Sequence, residues 1–212
     1  MEAIVQKIAI LAFPILLAVT LHELAHGWVA DKLGDPTARL LGRLTLNPIK
    51  HLDPVGTLAF IITGMIGWAK PVPVNPLNLK DHRKGMMWVA LAGPVTNLFI
   101  AAVSAIILRL TLNTGLLLNP SFTFITAPLL MMLHASVIIN IGLAVFNFLP
   151  IPPLDGGRVM AGLLPYNMAE TYSRIEPYGF VILIILIFTN FVHIVISPII
   201  LAIARLFLGG NF

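Results

Sequence analysis

The sequence contains no cysteine and few charged residues. None of its 212 residues is Cys, and Lys, Arg, Asp and Glu together make up 10% of the chain. Without cysteine there are no disulfides and no thiolate ligands, so a metal site would have to use histidine and carboxylate. Soluble domains carry roughly 25% charged residues. The scarcity of charge, together with a hydrophobic share of 58%, therefore excludes an ordinary soluble domain and indicates a membrane protein.

Several apolar runs are long enough to cross a bilayer, which takes about 20 residues. They predict an all-α membrane protein, a polytopic helical bundle of about five to six transmembrane segments. The runs cover residues 8–30, 55–68, 86–112, 128–149 and 178–208. The run at 55–68 is short, so it either crosses the membrane or enters and leaves on one side. The last run would be ~45 Å long as one straight helix, so we expect it to be tilted or broken near Asn190 or Pro198.

We expect one integral-membrane domain over residues 1–212, with its core at about 8–160 and C-terminal helices at 178–208. The net charge of +4 does not indicate nucleic acid, because the basic residues lie in connectors between apolar runs, as the positive-inside rule describes. Residues 111–127 carry no charge. We therefore expect the connectors after the first, second and fourth runs to face the cytosol, most simply across the plasma membrane of a prokaryote.

The first apolar run contains the sequence His22-Glu23-Leu24-Ala25-His26. On a helix, residues four apart share one face, so both imidazoles can bind one cation. Glu23 lies beside the first histidine and can act as general base toward a water molecule at the metal. Zinc suits such a site without cysteine, and an ionisable cluster inside a membrane span is costly unless it has a function. We predict one zinc ion per chain.

A catalytic zinc needs a third protein ligand and an open position. Asp155 is the leading candidate, because it lies between a proline-rich stretch and Gly156-Gly157, where the chain can approach a metal closely. The residues alone leave an alternative open: Asp155 could instead cap a helix that begins at Gly156.

The chain resembles the site-2 protease family of intramembrane zinc metalloproteases, in the minimal type without a PDZ or CBS domain. The resemblance covers about residues 15–160. It rests on three ordered motifs, His22-Glu23-Leu24-Ala25-His26, Gly93-Pro94-Val95-Thr96-Asn97 and Asn147-Phe148-Leu149-Pro150-Ile151-Pro152-Pro153-Leu154-Asp155-Gly156-Gly157. It implies zinc held by His22, His26 and Asp155, with Glu23 as catalytic base and Asn147 stabilising an oxyanion.

The resemblance also implies partners: the lipid bilayer, and membrane proteins whose transmembrane helix is cleaved within or near the membrane. We expect no nucleic-acid partner, and the sequence does not decide the oligomeric state. One alternative is a divalent-cation transporter or channel that uses the same His and Asp side chains. Another is a silent scaffold that holds zinc for stability. The complete HExxH motif favours the protease, since neither alternative needs Glu23.

We further predict a short membrane-associated β-hairpin, in which residues 42–47 pair with residues 70–75. The alternating pattern of Gly42-Arg43-Leu44-Thr45-Leu46-Asn47 and the turn signal of Pro48 support this pairing. The edge of such a hairpin could hold an unwound substrate as an added strand. The alternative is that both segments are ordinary connectors.

Overall fold

The computed structural model describes residues 2–63, 67–113 and 123–210. Within these ranges the chain forms α-helices joined by turns and short 3₁₀ segments. In chain order the helices are α1 (Glu2–Lys32), α2 (Thr37–Leu40), α3 (Pro54–Thr63), α4 (His82–Asn113), α5 (Thr123–Asn147), α6 (Asp155–Leu163), α7 (Tyr166–Ser173), α8 (Gly179–Phe188) and α9 (Phe191–Leu208). The 3₁₀ segments are Pro48–Lys50, Pro76–Asn78 and Glu176–Tyr178.

Four stretches of the described chain are helical, long and apolar enough to cross a membrane: Ile8–Lys32, His82–Asn113, Thr123–Asn147 and Tyr166–Phe188. Two shorter apolar helices accompany them, at Pro54–Thr63 and His193–Leu208. The predicted all-α polytopic membrane fold is therefore confirmed. Most of the uncharged connector predicted at residues 111–127 lies outside the described residues.

The last apolar run is broken at one of the two predicted points. Helix α8 ends at Phe188 and α9 begins at Phe191, with Asn190 between them at a φ of 62°. Asparagine tolerates this left-handed conformation better than most residues. Pro198 lies inside α9 and does not end the helix. The break therefore divides a run that would be too long for one straight span.

The residues that flank the short run at 55–68 lie next to each other. Its helix α3 has 10 residues, a rise of about 15 Å, which is half of the hydrocarbon thickness. Leu52, before the helix, forms an antiparallel bridge with Ala69, after it. The adjoining amide of Lys70 donates to the carbonyl of His51 at 2.9 Å. The two ends of the run are therefore hydrogen-bonded to each other, as expected of a segment that enters and leaves on one side.

The predicted β-hairpin is wrong. Residues 42–47 form turns and bends, the described residues contain no strand, and the bridge lies outside the predicted partners, at Leu52 and Ala69. Pro71 and Pro73 explain part of this result, because neither has an amide hydrogen for a ladder. The amides that remain in this extended segment bond elsewhere, Lys70 to His51 and Val72 to Glu23.

The described chain divides into two compact units. The first is drawn from Met1–Ala18, Asn97–Asn147 and Val181–Phe212, and the second from Val19–Thr96 and Phe148–Phe180. The single domain over residues 1–212 stays a prediction.

The first unit is held by small residues and buried amides. Its apolar core consists of residues from α4, α5 and α9, namely Ala101, Ala105, Leu108, Val137, Ile141, Ala204 and Leu208. Small side chains let membrane helices approach closely. Asn97 donates to Asn140 at 2.8 Å, and the Ser104 and Ser136 hydroxyls lie 2.9 Å apart. Asn97 and Asn140 therefore link α4 to α5.

In the second unit a buried carboxylate ties the end of α1 to the segment before α4. Asp35 is fully buried and accepts hydrogen bonds from the Asn75 amide at 2.7 Å and the Asn78 side chain at 2.7 Å. It also accepts from the amide and hydroxyl of Thr37. Burial raises the pKa of Asp35, but the hydrogen bonds from Thr37, Asn78 and Asn75 outweigh it and hold the pKa below its usual value.

We expect Asp35→Asn to lower the free energy of unfolding by about 2 kcal/mol at pH 7, because it weakens hydrogen bonds to a buried charge. A carboxyl with a depressed folded pKa stabilises the protein above its unfolded pKa of ~3.9, and that stability is lost as the pH falls through the folded pKa. The difference between wild type and variant should therefore shrink below about pH 4. Thermal unfolding of metal-free protein in detergent, followed from pH 7 downward, measures it. A difference that does not change with pH would contradict this role.

Candidate metal centre

Helix α1 presents two histidines on one face. His22 and His26 are 8% and 9% exposed, and their Nε2 atoms lie 3.0 Å apart. Their rings are nearly perpendicular, with an interplanar angle of 86°. Two imidazole nitrogens at this separation can share one cation.

Asp155 completes the group. Its Oδ2 atom lies 3.2 Å from Nε2 of His22 and 3.3 Å from Nε2 of His26. Helix α6 begins at Asp155, after Leu154, and no side chain caps it. The capping role that the residues left open is therefore not adopted. Burial raises the pKa of Asp155, but the contacts with His22 and His26 prevail and hold it well below its usual range.

The three atoms fit a zinc ion. Ligands 2.0–2.1 Å from a tetrahedral zinc are separated from each other by about 3.3–3.4 Å. The three separations found here, 3.0, 3.2 and 3.3 Å, come close to this value. Oδ2 of Asp155 is buried and makes no hydrogen bond of regular geometry in the described structure. A buried oxygen of this kind needs a partner, and a cation among the three atoms would be one.

The second nitrogen of His26 fixes the orientation of its ring. Nδ1 lies 2.7 Å from the backbone carbonyl of Val89 in α4. Since a carbonyl only accepts, Nδ1 carries the hydrogen, and in the neutral ring Nε2 then has the lone pair that a metal requires. Outer contacts of this kind commonly hold metal-binding histidines.

Helix α4 also forms one wall of the site, at Gly93. A Cβ atom at this position would lie 2.5 Å from Nε2 of His26 and 2.6 Å from Nε2 of His22. Real Cβ atoms essentially never come this close to other atoms, so only glycine fits without a shift of the imidazoles. The Gly-Pro-Val-Thr-Asn motif therefore acts in part through the space that Gly93 leaves.

The turn before α6 places Asp155. A Cβ on Gly156 would overlap the carbonyl groups of Phe148 and Leu149, and one on Gly157 would lie 2.7 Å from the nitrogen of Pro152. The two glycines allow the first turn of α6 to pack against the proline-rich elbow. This close packing directs Asp155 toward α1.

Glu23 is held by the extended segment at residues 70–75. Its Oε2 atom accepts a hydrogen bond from the amide of Val72 at 2.8 Å. Two residues earlier, the carbonyl of Lys70 accepts from Nη2 of Arg43 at 2.8 Å. The amide of Lys70 donates to His51, which is fully buried. Arg43 and His51 thus fix the segment that in turn holds the carboxylate of Glu23.

We expect Arg43→Met to loosen this segment. Loss of the bond to Lys70 should speed amide exchange at Lys70 and Val72 about tenfold, the equivalent of one hydrogen bond. Hydrogen–deuterium exchange of a peptide that begins before Lys70 and ends at Asn75 measures the exchange of both amides. Pro71 and Pro73 contribute no amide to its signal. Arg39→Met is the matched control, because the side chain of Arg39 is 62% exposed and pairs with Asp31. Equal exchange in wild type and Arg43→Met would contradict the role of Arg43.

Asn147 is the last residue of α5, and its amide donates to the Leu143 carbonyl at 3.0 Å in the same helix. Its part in stabilising an oxyanion stays a prediction. Sequence reasoning missed Val89, Val72, Arg43 and the steric role of Gly93. Backbone groups of Val89 and Val72 leave no signature in side-chain chemistry, so no motif could have found them.

The comparisons with known proteins agree with this geometry. The sequence profile described as Peptidase family M50 matches residues 10–127 and 123–189. The chain belongs to this family. The resemblance of its motifs to the site-2 proteases is thereby confirmed.

Three relatives in the family are described as zinc metalloproteases, the first two as candidates. YwhC of Bacillus subtilis is 39% identical over 89% of this chain and 84% of its own length. Rip2 of Mycolicibacterium smegmatis is 30% identical over 82% of this chain and 64% of its own length. MJ0392 of Methanocaldococcus jannaschii is 26% identical over 74% of this chain and 34% of its own length. No solved structure matches the chain significantly.

Proposed function

We propose that this member of family M50 is an intramembrane zinc-dependent endopeptidase, which hydrolyses peptide bonds within or near transmembrane segments of membrane-protein substrates. The observation that carries the proposal is the cluster of His22, His26 and Asp155, whose ligand atoms lie 3.0–3.3 Å apart. Two of these residues and Glu23 belong to Ile8–Lys32, which is long and apolar enough to span a membrane. Family membership supports the peptidase reaction.

His22, His26 and Asp155 would hold one zinc ion and leave one coordination position open. When bound, zinc supplies Lewis acidity, which makes a water molecule acidic near neutral pH and polarises a carbonyl group. His26 contributes through its orientation, because the bond from Nδ1 to Val89 keeps the lone pair of Nε2 directed at the site. Gly93 keeps the backbone of α4 close and limits the space for other ligands.

Glu23 moves the protons of the reaction. Its Oε2 atom is engaged by the amide of Val72, and its other oxygen, Oε1, can take a proton from the attacking water. The same carboxyl then gives a proton to the leaving amine as the peptide bond breaks. Asn147 would donate to the oxyanion that develops on the scissile carbonyl, which is the role of a preorganised neutral donor.

The position of the histidines along α1 suits hydrolysis in a membrane. His26 lies six residues before the end of α1 at Lys32, which corresponds to about 9 Å along the helix axis. Water therefore has a short path to the site from one membrane surface. The basic connectors indicate that this surface faces the cytosol, in the plasma membrane of a prokaryote. A substrate helix would have to unwind there, because helical hydrogen bonds occupy its carbonyl groups.

Zinc content and cleavage together test the proposal. We expect about one zinc ion per chain in wild type purified in detergent, and less than a tenth of that in Asp155→Ala, which loses one of three ligands. Wild type should cleave a synthetic peptide with one apolar span of about 20 residues interrupted by Gly-Pro, carrying a fluorophore and a quencher. A zinc chelator should stop the cleavage, and added zinc should restore it.

Mass spectrometry of the products locates the cleaved bond. The proposal fails if folded, zinc-loaded wild type cleaves neither this peptide nor reconstituted single-span proteins. It also fails if Asp155→Ala keeps both its zinc and its activity. Uptake of zinc into proteoliposomes by wild type and Glu23→Gln alike, without proteolysis, would instead favour the cation transporter.

A further inference from the structure

A cavity outside the metal centre lies in the second unit, where the end of α1 meets the start of α4. This cavity has a volume of about 260 Å³. Its walls include three lysines and three large apolar side chains, namely Lys32, Lys80, Lys84, Leu33, Leu79 and Trp88. None of these residues belongs to the metal centre. The cavity is therefore a feature separate from the metal centre.

The charge of the cavity favours an anion. Three lysines and one aspartate, Asp81, give its lining a formal charge of 3 − 1 = +2. Asp81 is occupied with capping α4, since its Oδ1 atom accepts from the amides of Arg83 at 3.1 Å and Lys84 at 2.8 Å. The three lysines are exposed, and although Nζ of Lys32 lies 5.7 Å from the centre of the Trp28 ring, all three ammonium groups are open to a ligand.

The cavity lies at the depth of the lipid head groups. Lys32 ends one stretch long enough to span the membrane and His82 begins another, and the ends of spans lie at the membrane surface. Trp28 and Trp88 are each 55% exposed, and exposed tryptophan is typical of this interface. Trp88 lies six residues after His82, about 9 Å further along α4. The cavity thus runs from lysines on the water side to Trp88 toward the hydrocarbon.

We propose that this cavity binds an anionic phospholipid, such as phosphatidylglycerol. The phosphate would lie against Lys32, Lys80 and Lys84, and the glycerol and upper acyl chain against Leu33, Leu79 and Trp88. A free phosphate ion would satisfy the lysines and leave the apolar wall in water. A zwitterionic lipid would cover the wall but bring a second, positive charge close to the lysines. An anionic lipid matches both parts.

Tryptophan fluorescence gives a local readout. The sequence has three tryptophans, so Trp28→Phe with Trp68→Phe leaves Trp88 alone in the cavity wall. Phosphatidylglycerol and phosphatidylcholine with the same brominated acyl chains are then titrated into this protein in detergent. We expect phosphatidylglycerol to quench Trp88 at an about 100-fold lower concentration, since three lysines face the head group and each contributes about fivefold.

Charge variants test the assignment to the three lysines. Lys32→Gln with Lys80→Gln and Lys84→Gln should abolish the preference for phosphatidylglycerol, and Lys84→Gln alone should reduce it about threefold to fivefold. The matched control removes three exposed charges elsewhere, by Arg39→Gln, Lys50→Gln and Arg174→Gln, and should keep the preference.

Three results would overturn the proposal. The first is equal quenching by the two lipids in the protein with all lysines intact. The second is an equal loss in the control variant, which would mean that only net charge matters. The third is displacement of the brominated lipid by millimolar inorganic phosphate or glycerol phosphate, which would reduce the site to a simple anion site. The outcome does not depend on proteolysis.

Discussion

Glu23→Gln should keep its zinc and lose nearly all peptidase activity. Removal of a general base typically lowers the rate about 10²–10⁴-fold. The amide of glutamine cannot take the proton of the attacking water, but its oxygen can still accept the hydrogen bond from Val72 that holds the side chain. The ligands His22, His26 and Asp155 are untouched, so zinc should remain at about one ion per chain. Zinc analysis and peptide cleavage on the same preparation measure the two effects.

Glu170→Gln is the matched control for this substitution. Glu170 is 63% exposed at its side chain and pairs with Arg174, the residue after α7, at 3.3 Å. Exposed pairs of this kind contribute little to stability, so this variant should cleave like wild type. If Glu23→Gln keeps full activity, the base lies elsewhere. If it loses zinc, Glu23 serves the metal and not the proton.

Gly93→Ala should disrupt the metal centre by adding one methyl group. The new Cβ would lie 2.5–2.6 Å from atoms of His22 and His26, so the imidazoles must move by several tenths of an ångström. Zinc tolerates changes of only about 0.2 Å in its ligand distances. We expect zinc affinity to fall roughly 10–100-fold, with a parallel loss of activity. Competition with a fluorescent zinc chelator measures the affinity.

Gly142→Ala makes the same chemical change at a site with room. There the new Cβ would meet only Ile200, at 3.7 Å, an ordinary contact. Alanine is intrinsically more helix-favouring than glycine by about 1 kcal/mol, so neither substitution should weaken its helix. A loss of zinc in Gly93→Ala but not in Gly142→Ala therefore comes from the imidazoles. Normal zinc affinity in Gly93→Ala would show that α4 can move away from α1 without cost.

The motifs were sufficient to predict which side chains come together at the candidate metal centre, because the chemistry offers few alternatives. A chain without cysteine must bind zinc through histidine and carboxylate, and the 3.6-residue helical period places His22 and His26 on one face. Asp155 is remote in sequence, and the residues alone did not separate a ligand from a helix cap. Its Oδ2 atom lies 3.2 and 3.3 Å from the two histidines, a position that favours the ligand over the cap.

The polar segments were harder to predict than the apolar ones. The pattern of residues 42–47 suggested a strand, but alternation says nothing about the partner that a strand requires. Prolines at 71 and 73 remove ladder donors, and the carboxylates of Glu23 and Asp35 take the amides of Val72 and Asn75. Instead of a hairpin, these tertiary hydrogen bonds stabilise an extended segment that contacts Glu23 and Asp35.

The sequence was enough to predict the membrane class, the long apolar helices and the side chains of the candidate metal centre. These follow from composition and from local periodicity, which the bilayer and the helical hydrogen bonds enforce strongly. Tertiary contacts were needed to show that Leu52 pairs with Ala69, that Gly93 bounds the site and that Arg43 supports the segment holding Glu23. Each of these depends on contacts between residues distant in the chain, and steric fit and backbone hydrogen bonds of this kind leave no pattern in a single sequence.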